Sequence, residues 1–168
     1  MSAKRNIIAF FIISIIGTLS HFVYEWTGKP YLIGLFFPVN ESTWEHLKLL
    51  FFPSLIYFAV VYFTLKEKPK NYISATAISI IAGMLSIVVM FYTYQGVLGK
   101  NIDFLNILIY FFGVIVTIYI MQRILKTQSL SSGTANIISL FLLLLTAILF
   151  VSFSFNPPSL GIFLPPAV

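Results

Sequence analysis

Cysteine is absent from the chain, which removes disulfides, thiolate metal ligands and cysteine nucleophiles and leaves the redox compartment undetermined. Charge is nearly as scarce. Only 9% of the 168 residues are Asp, Glu, Lys or Arg, against roughly 25% in soluble domains, and five of them are acids. No polar stretch is long enough to insert a soluble domain, and no alternating pattern of barrel strands occurs. The G-x-S-x-G elbow, the H-E-x-x-H zinc motif and the Glu-x-x-His pair of di-metal bundles are also missing, so none of those chemistries has a local signature.

What the chain does have is apolar length. Hydrophobic residues make up 59% and aromatics 17%, with a mean hydropathy of +0.98. Five runs, about 6–26, 47–65, 72–98, 103–125 and 134–155, approach the roughly 20 apolar residues that cross a bilayer. The fold class is therefore all-α: a polytopic bundle of five transmembrane helices forming one domain over 1–168. "KEKPK", "GKN" and "KTQSLSSG" separate the last four helices with helix-breaking residues. No internal repeat is visible, and an odd helix count argues against a duplicated transporter core. Lys4 and Arg5 precede the first run as in a signal peptide, but the run continues through "HFVYEW" without a small-x-small cleavage site and reads as a retained anchor.

The net charge of +5 reflects topology more than a polyanionic partner, and nucleic acid is not expected. With alternating helices, Lys4 and Arg5, then Lys66, Lys68 and Lys70, then Arg123 and Lys126 share one side, with Glu67 the single acid among them. By the positive-inside rule that side is cytoplasmic, the N-terminus is in and the C-terminus out. The bacterial cytoplasmic membrane is the expected location and the lipid bilayer the expected partner. Outside lie the loop "TGKPYLIGLFFPVN", which should fold back over the bundle mouth, and the tail "FNPPSLGIFLPPAV", whose four prolines bar a regular helix.

The scarce ionisable groups gather at the outer end. Ser14, Gly17, Thr18, His21 and Glu25 share one face of the first helix, and His21 and Glu25 stand one turn apart. Around the start of the second helix come Asn40, Glu41, Glu45, His46 and Lys48; helical spacing puts Glu41, Glu45 and Lys48 on one face and His46 about 100° away. Asp103, Asn106, Tyr110, Gly113 and Thr117 stripe the fourth helix, and Thr76, Ser79, Gly83, Ser86 and Met90 form a packing seam on the third. Ionisable groups at membrane depth are costly and face bundle interiors or wet cavities. The expected site is therefore a polar pocket in which Glu45 and His46 face His21 and Glu25, Lys48 compensates the acids, and Asn40 and Tyr110 orient.

Each element also has a structural reading. Asn40 or Ser42 can cap the second helix, with Ser42 and Glu45 as an S-x-x-E capping box. His21 and Glu25 can satisfy each other, Asp103 can simply begin a helix, and Trp26 and Trp44 can belong to an aromatic belt. His21, Glu25, Glu45 and His46 are the residue types that hold a divalent metal, although the adjacency of Glu45 and His46 departs from familiar spacings.

"HFVYEWTGK" followed by "PVNESTWEHLKLLFFP" resembles a family of small, uncharacterised integral membrane proteins found mainly in Gram-positive bacteria. The resemblance rests on residues 21–53. It implies a membrane fold and draws attention to His21, Glu25, Asn40, Glu41, Glu45, His46 and Lys48 without implying an activity. Three functional classes follow. One is a binding or catalytic pocket for a small ligand, metal ion or lipid headgroup, with His or Glu as general base in an enzyme. Another is a small permease or channel-like subunit, for which a homo-oligomer would supply the missing half of a pathway. The third is an assembly protein whose His/Glu cluster welds helices.

Overall fold

Residues 3–127 and 129–166 are described in a computed structural model. Helix α1 (Ala3–Trp26) is followed by the short α2 (Tyr31–Gly34), then by α3 (Thr43–Thr64), α4 (Tyr72–Leu98), α5 (Asp103–Thr127) and α6 (Gly133–Phe153). A 3₁₀ turn, Gly161–Phe163, lies in the tail, and no strand occurs among the described residues. The five long helices are each long and apolar enough to cross a membrane, as in a multi-pass membrane protein.

Four helix starts fall within three residues of those expected from hydropathy; α3 starts four residues earlier, at Thr43. Capping sets that start. Ser42 Oγ accepts from Glu45 N at 3.3 Å, and Asn40 Oδ1 accepts from Ser42 N at 2.9 Å. Only half of the expected capping box forms, because the Glu45 carboxylate turns away to accept from Val39 N at 2.9 Å. Hydropathy misses this first turn because its residues are polar.

α3 lies at the centre and packs against α1, α4, α5 and α6, while α4 and α5 form the closest helix pair. Half of the α3 and α4 spans is buried, against 17% of α6, whose Ile137, Phe141, Leu144 and Ile148 point outward where lipid would lie. The small-residue seam brings α4 onto α5: a Cβ on Gly83 would strike Thr117 Oγ1 and the Gly113 carbonyl.

Pro53, inside α3, has no N–H to give the Leu49 carbonyl four residues back. The Tyr110 hydroxyl of α5 stands 3.5 Å from that carbonyl and donates to the Ile13 carbonyl of α1 at 3.0 Å. Gly17 makes the three-helix junction fit, since a Cβ there would run into both the Tyr110 hydroxyl and the Leu49 carbonyl.

Hydrogen bonds lock the end of the bundle that carries Lys66–Lys70. Tyr57 donates to the Arg5 carbonyl at 3.0 Å, Tyr72 to the Phe58 carbonyl at 2.9 Å, and Asn71 to the Ile124 carbonyl at 2.7 Å. At the opposite end α2, the start of α3 and the tail close over one another. Trp44 packs on Phe150 and Phe163, so its ring serves an aromatic cluster inside the fold, whereas Trp26 is 67% exposed and stacks on Phe22 as a belt residue would.

Candidate functional site

Two clusters occupy the start of α3, and they divide the residues expected in one pocket. The first is closed. Lys48 Nζ is completely buried and donates to Glu45 Oε2 at 2.7 Å, Ser154 Oγ at 2.7 Å and the Gly34 carbonyl at 3.1 Å. An ammonium has three N–H donors, and all are used. Glu45 and Lys48 lie one turn apart on α3, and their pair holds α2, the end of α6 and, through Val39 N, the 35–42 connection. Gly34 can approach because it lacks a Cβ, which would meet Phe155 and Val39 at 2.6 Å.

The second cluster is open. His21 Nε2 and His46 Nε2 are 3.2 Å apart, and Glu41 Oε2 lies 3.5 Å from the first and 3.4 Å from the second. His21 and His46 side chains are about one-third exposed and Glu41 is 66% exposed, so the three atoms face outward at the bundle end. His46 Nδ1 lies 2.9 Å from the Ser42 carbonyl, which needs an N–H donor; that assigns the Nδ1 proton and turns Nε2 toward Glu41 and His21. The hydrogen bond from His46, aided by the charge of both histidines and opposed by partial burial, holds the Glu41 carboxyl down at about 2. It is an anion at any physiological pH.

With both Nε2 atoms unprotonated, three lone pairs face one another within 3.5 Å and favour a cation between them; with a proton on His46 Nε2 the same contacts are hydrogen bonds and an ion pair to Glu41. The edge lengths can be set beside those of coordination polyhedra. With zinc–ligand distances of about 2.0–2.1 Å, the edge of a tetrahedral face is about 3.3–3.4 Å, whereas ligands at right angles at the same distance would be about 2.9 Å apart. Edges of 3.2, 3.4 and 3.5 Å are close to the size of that tetrahedral face. His46 already has the second-shell partner, a backbone carbonyl on its other nitrogen, that orients metal-binding imidazoles.

Other expected site residues lie elsewhere. Glu25 shares a face with His21 but pairs with Lys29 at 2.9 Å, a contact that raises the Lys29 pKa chiefly through the hydrogen bond. Gly28 and Lys29, at φ 80° and 61°, turn the chain back so that this lysine reaches the carboxylate. Glu41 takes the place expected for Glu25 and Glu45. It precedes the Ser42 cap, so helical spacing does not describe it and the expected 100° separation from His46 does not apply. Asn40 serves the turn before α3, and Tyr110 the Pro53 junction. Asn106 joins Tyr94 at 2.5 Å and Asn101 at 2.9 Å in a separate network, and Asp103 is an exposed acid in the first turn of α5. The sequence reading missed Gly34 and Ser154 as partners of Lys48. Their signals were a glycine in an apolar loop and one of several serines on α6 and at its end, and neither is specific.

A family model described as "Family of unknown function (DUF6512)" matches residues 1–167. No curated protein and no solved structure matches the chain.

Proposed function

The chain belongs to this family of unknown function, DUF6512, and we propose that it binds a divalent transition metal, zinc by geometry, through His21, Glu41 and His46 at the outer face of the membrane. One observation carries the reading: the ligand atoms form a near-equilateral triangle with edges of 3.2–3.5 Å, the size of a tetrahedral zinc face. Three protein ligands with the fourth corner free is the arrangement of a site that takes water or a ligand, not of a closed structural site. The orientation that puts this end outside, N-terminus in and C-terminus out, rests on the lysines and arginines gathered at the other end, and the bacterial cytoplasmic membrane is the host it implies.

Metal analysis of the detergent-purified protein tests the proposal. One zinc per chain is expected, retained in Glu25→Gln and lost in Glu41→Gln and His46→Ala. Zinc absent from the wild type, or unaffected by Glu41→Gln, overturns it.

A second reading is supported by the direct contacts of both histidines with Glu41: a proton in place of the metal would make the triad an ion-paired clasp between α1 and α3. In that case His21→Ala lowers the melting temperature in the presence of a chelator, where the metal reading expects little change.

A further inference from the structure

Three lysines stand at the end of the bundle that carries His21, Glu41 and His46, and two of them are matched: Lys29 by Glu25, and Lys48 by Glu45, Ser154 and the Gly34 carbonyl. Lys100 has neither a carboxylate nor any other acceptor among the described residues. It borders a cavity of about 350 Å³ between the start of α3, the last two turns of α4 and the tail, where Thr43, Tyr92, Gln95, Leu164 and Pro165 join it. We propose that this cavity binds a singly charged oxyanion carried on an apolar body, a carboxylate or a phosphodiester, with Lys100 and the start of α3 holding the charge. No residue of the metal triad lines the cavity, and the inference does not depend on the metal reading.

Unmatched polar groups are the first argument. Thr43 opens α3 and is only 6% exposed, yet its hydroxyl has no hydrogen-bond partner among the described residues. The unpartnered hydroxyls of Ser14, Ser54 and Thr76 are sealed from open space, whereas Thr43 Oγ1 keeps accessible surface beside the cavity. The Tyr92 hydroxyl and the Gln95 carboxamide are unpartnered too, although the neighbouring Tyr94, Asn101 and Asn106 bond one another. Four polar side chains thus meet one cavity unmatched, the inverse of the Lys48 cluster, where each donor has its acceptor.

Charge selects the sign. No carboxylate lines the cavity, and Asp103, three residues beyond Lys100, makes no ion pair with it. Glu45 is offset by Lys48, and Glu41 faces the two histidines instead. Lys100 supplies one positive charge, and the start of α3 adds about half a charge from the helix dipole. The first two amides of that helix, those of Thr43 and Trp44, have no acceptor among the described residues, whereas the next two bond to Ser42. One ammonium beside an open helix start suits a monoanion.

The walls select what carries the charge. Phe91 and the Tyr92 ring stand on the α4 side, with Leu164 and Pro165 opposite. The tail is held there by Phe163, whose ring packs on Trp44 and Phe153. Proline has no N–H to offer, so the tail presents an apolar surface. Gly99, at φ 66°, ends α4 and turns the chain so that Lys100 comes beside the cavity. The volume lies at the small end of ligand sites, enough for a ring or a short acyl segment.

Trp44 follows Thr43 and touches Phe163, so its fluorescence reads the site in a Trp26→Phe protein held in neutral detergent with a chelator. Two soluble probes carry the shared chemistry from different sources: phenylacetate as a solute carboxylate and dihexanoyl phosphatidylglycerol as a membrane phosphodiester. At least one should titrate Trp44 to saturation. Its counterpart without net charge, phenylacetamide or dihexanoyl phosphatidylcholine, should bind at least about tenfold more weakly, the loss expected with a charge-assisted hydrogen bond. Lys100→Gln, at an exposed position, should weaken the anion by a similar factor and Thr43→Val by about threefold, while Lys29→Gln leaves it unchanged. Saturation by phenylacetate alone identifies an aqueous ligand, and by phosphatidylglycerol alone a lipid; either supports the site. Saturation by neither probe, equal affinity for the uncharged counterpart, or wild-type affinity in Lys100→Gln overturns the inference.

Discussion

Lys48 and His46 are two residues apart on α3, yet their polar groups end in opposite conditions. Lys48 lies wholly inside, with each N–H matched to an acceptor. His46 lies part-exposed, with Nε2 facing a second imidazole and a carboxylate at distances that a cation would reconcile. A buried charge is tolerable only when it is paired and its donors are used, so the first cluster is what stability requires. The part-exposed His21–Glu41–His46 contacts are not demanded by burial in the same way. Equal chemical richness in the sequence therefore separates into a buried, fully paired part and a part-exposed one, for which the proposed role is binding a metal.

The sharpest way to break this contrast is to leave one half of the closed pair unmatched. Lys48→Ala strands the Glu45 carboxylate and should cost about 3–5 kcal/mol, read as a large drop in melting temperature or loss of folded protein from the membrane. Replacing both partners, with Lys48→Met and Glu45→Leu together, should recover much of that loss, and a double-mutant cycle measures the recovery. No recovery would mean that Lys48 owes its place to Ser154 and Gly34 alone.

The Pro53 junction comes next, because it holds α1, and with it His21, against α3. Gly17→Ala presses a methyl into a backbone carbonyl and should destabilise by about 1–3 kcal/mol, with zinc affinity falling as His21 moves. Outside both clusters, Tyr94→Phe leaves Asn101 and Asn106 short of a partner and should cost about 1–2 kcal/mol without touching zinc. At the bottom of the stability scale stands the triad. Glu41→Gln should change the stability of the metal-free protein by no more than about 0.5 kcal/mol while zinc titration shows affinity down by more than about 100-fold. A stability loss comparable to that of Lys48→Ala would erase the distinction between the two clusters.

The helices were legible because an apolar run needs no tertiary information to be read. The site was legible only by neighbourhood. His21 and His46 were assigned to one pocket, and they do meet, since two costly groups at the same depth on adjacent helices have few other places to go. The carboxylate beside them is Glu41, which the sequence also placed in the pocket, while Glu25 pairs with Lys29 through a two-residue turn with positive φ that hydropathy and helical spacing do not register. Glu45 was drawn inward by Lys48, and what made that burial affordable is Ser154, 106 residues away. Local pattern carries no trace of a partner so distant.

That separation also sets a clock. A ribosome adding roughly 5–20 residues per second needs about 5–20 s to travel from Lys48 to Ser154, and until then the ammonium of α3 lacks the acceptor that completes its burial. Before that, Lys48 has only the Glu45 carboxylate and the Gly34 carbonyl for its three N–H donors. Arrival of the final helix converts a loosely inserted chain into a finished one, so a chain shortened ahead of α6 should be cleared by membrane proteases during synthesis, with the first five elements intact in sequence and unfinished in fact.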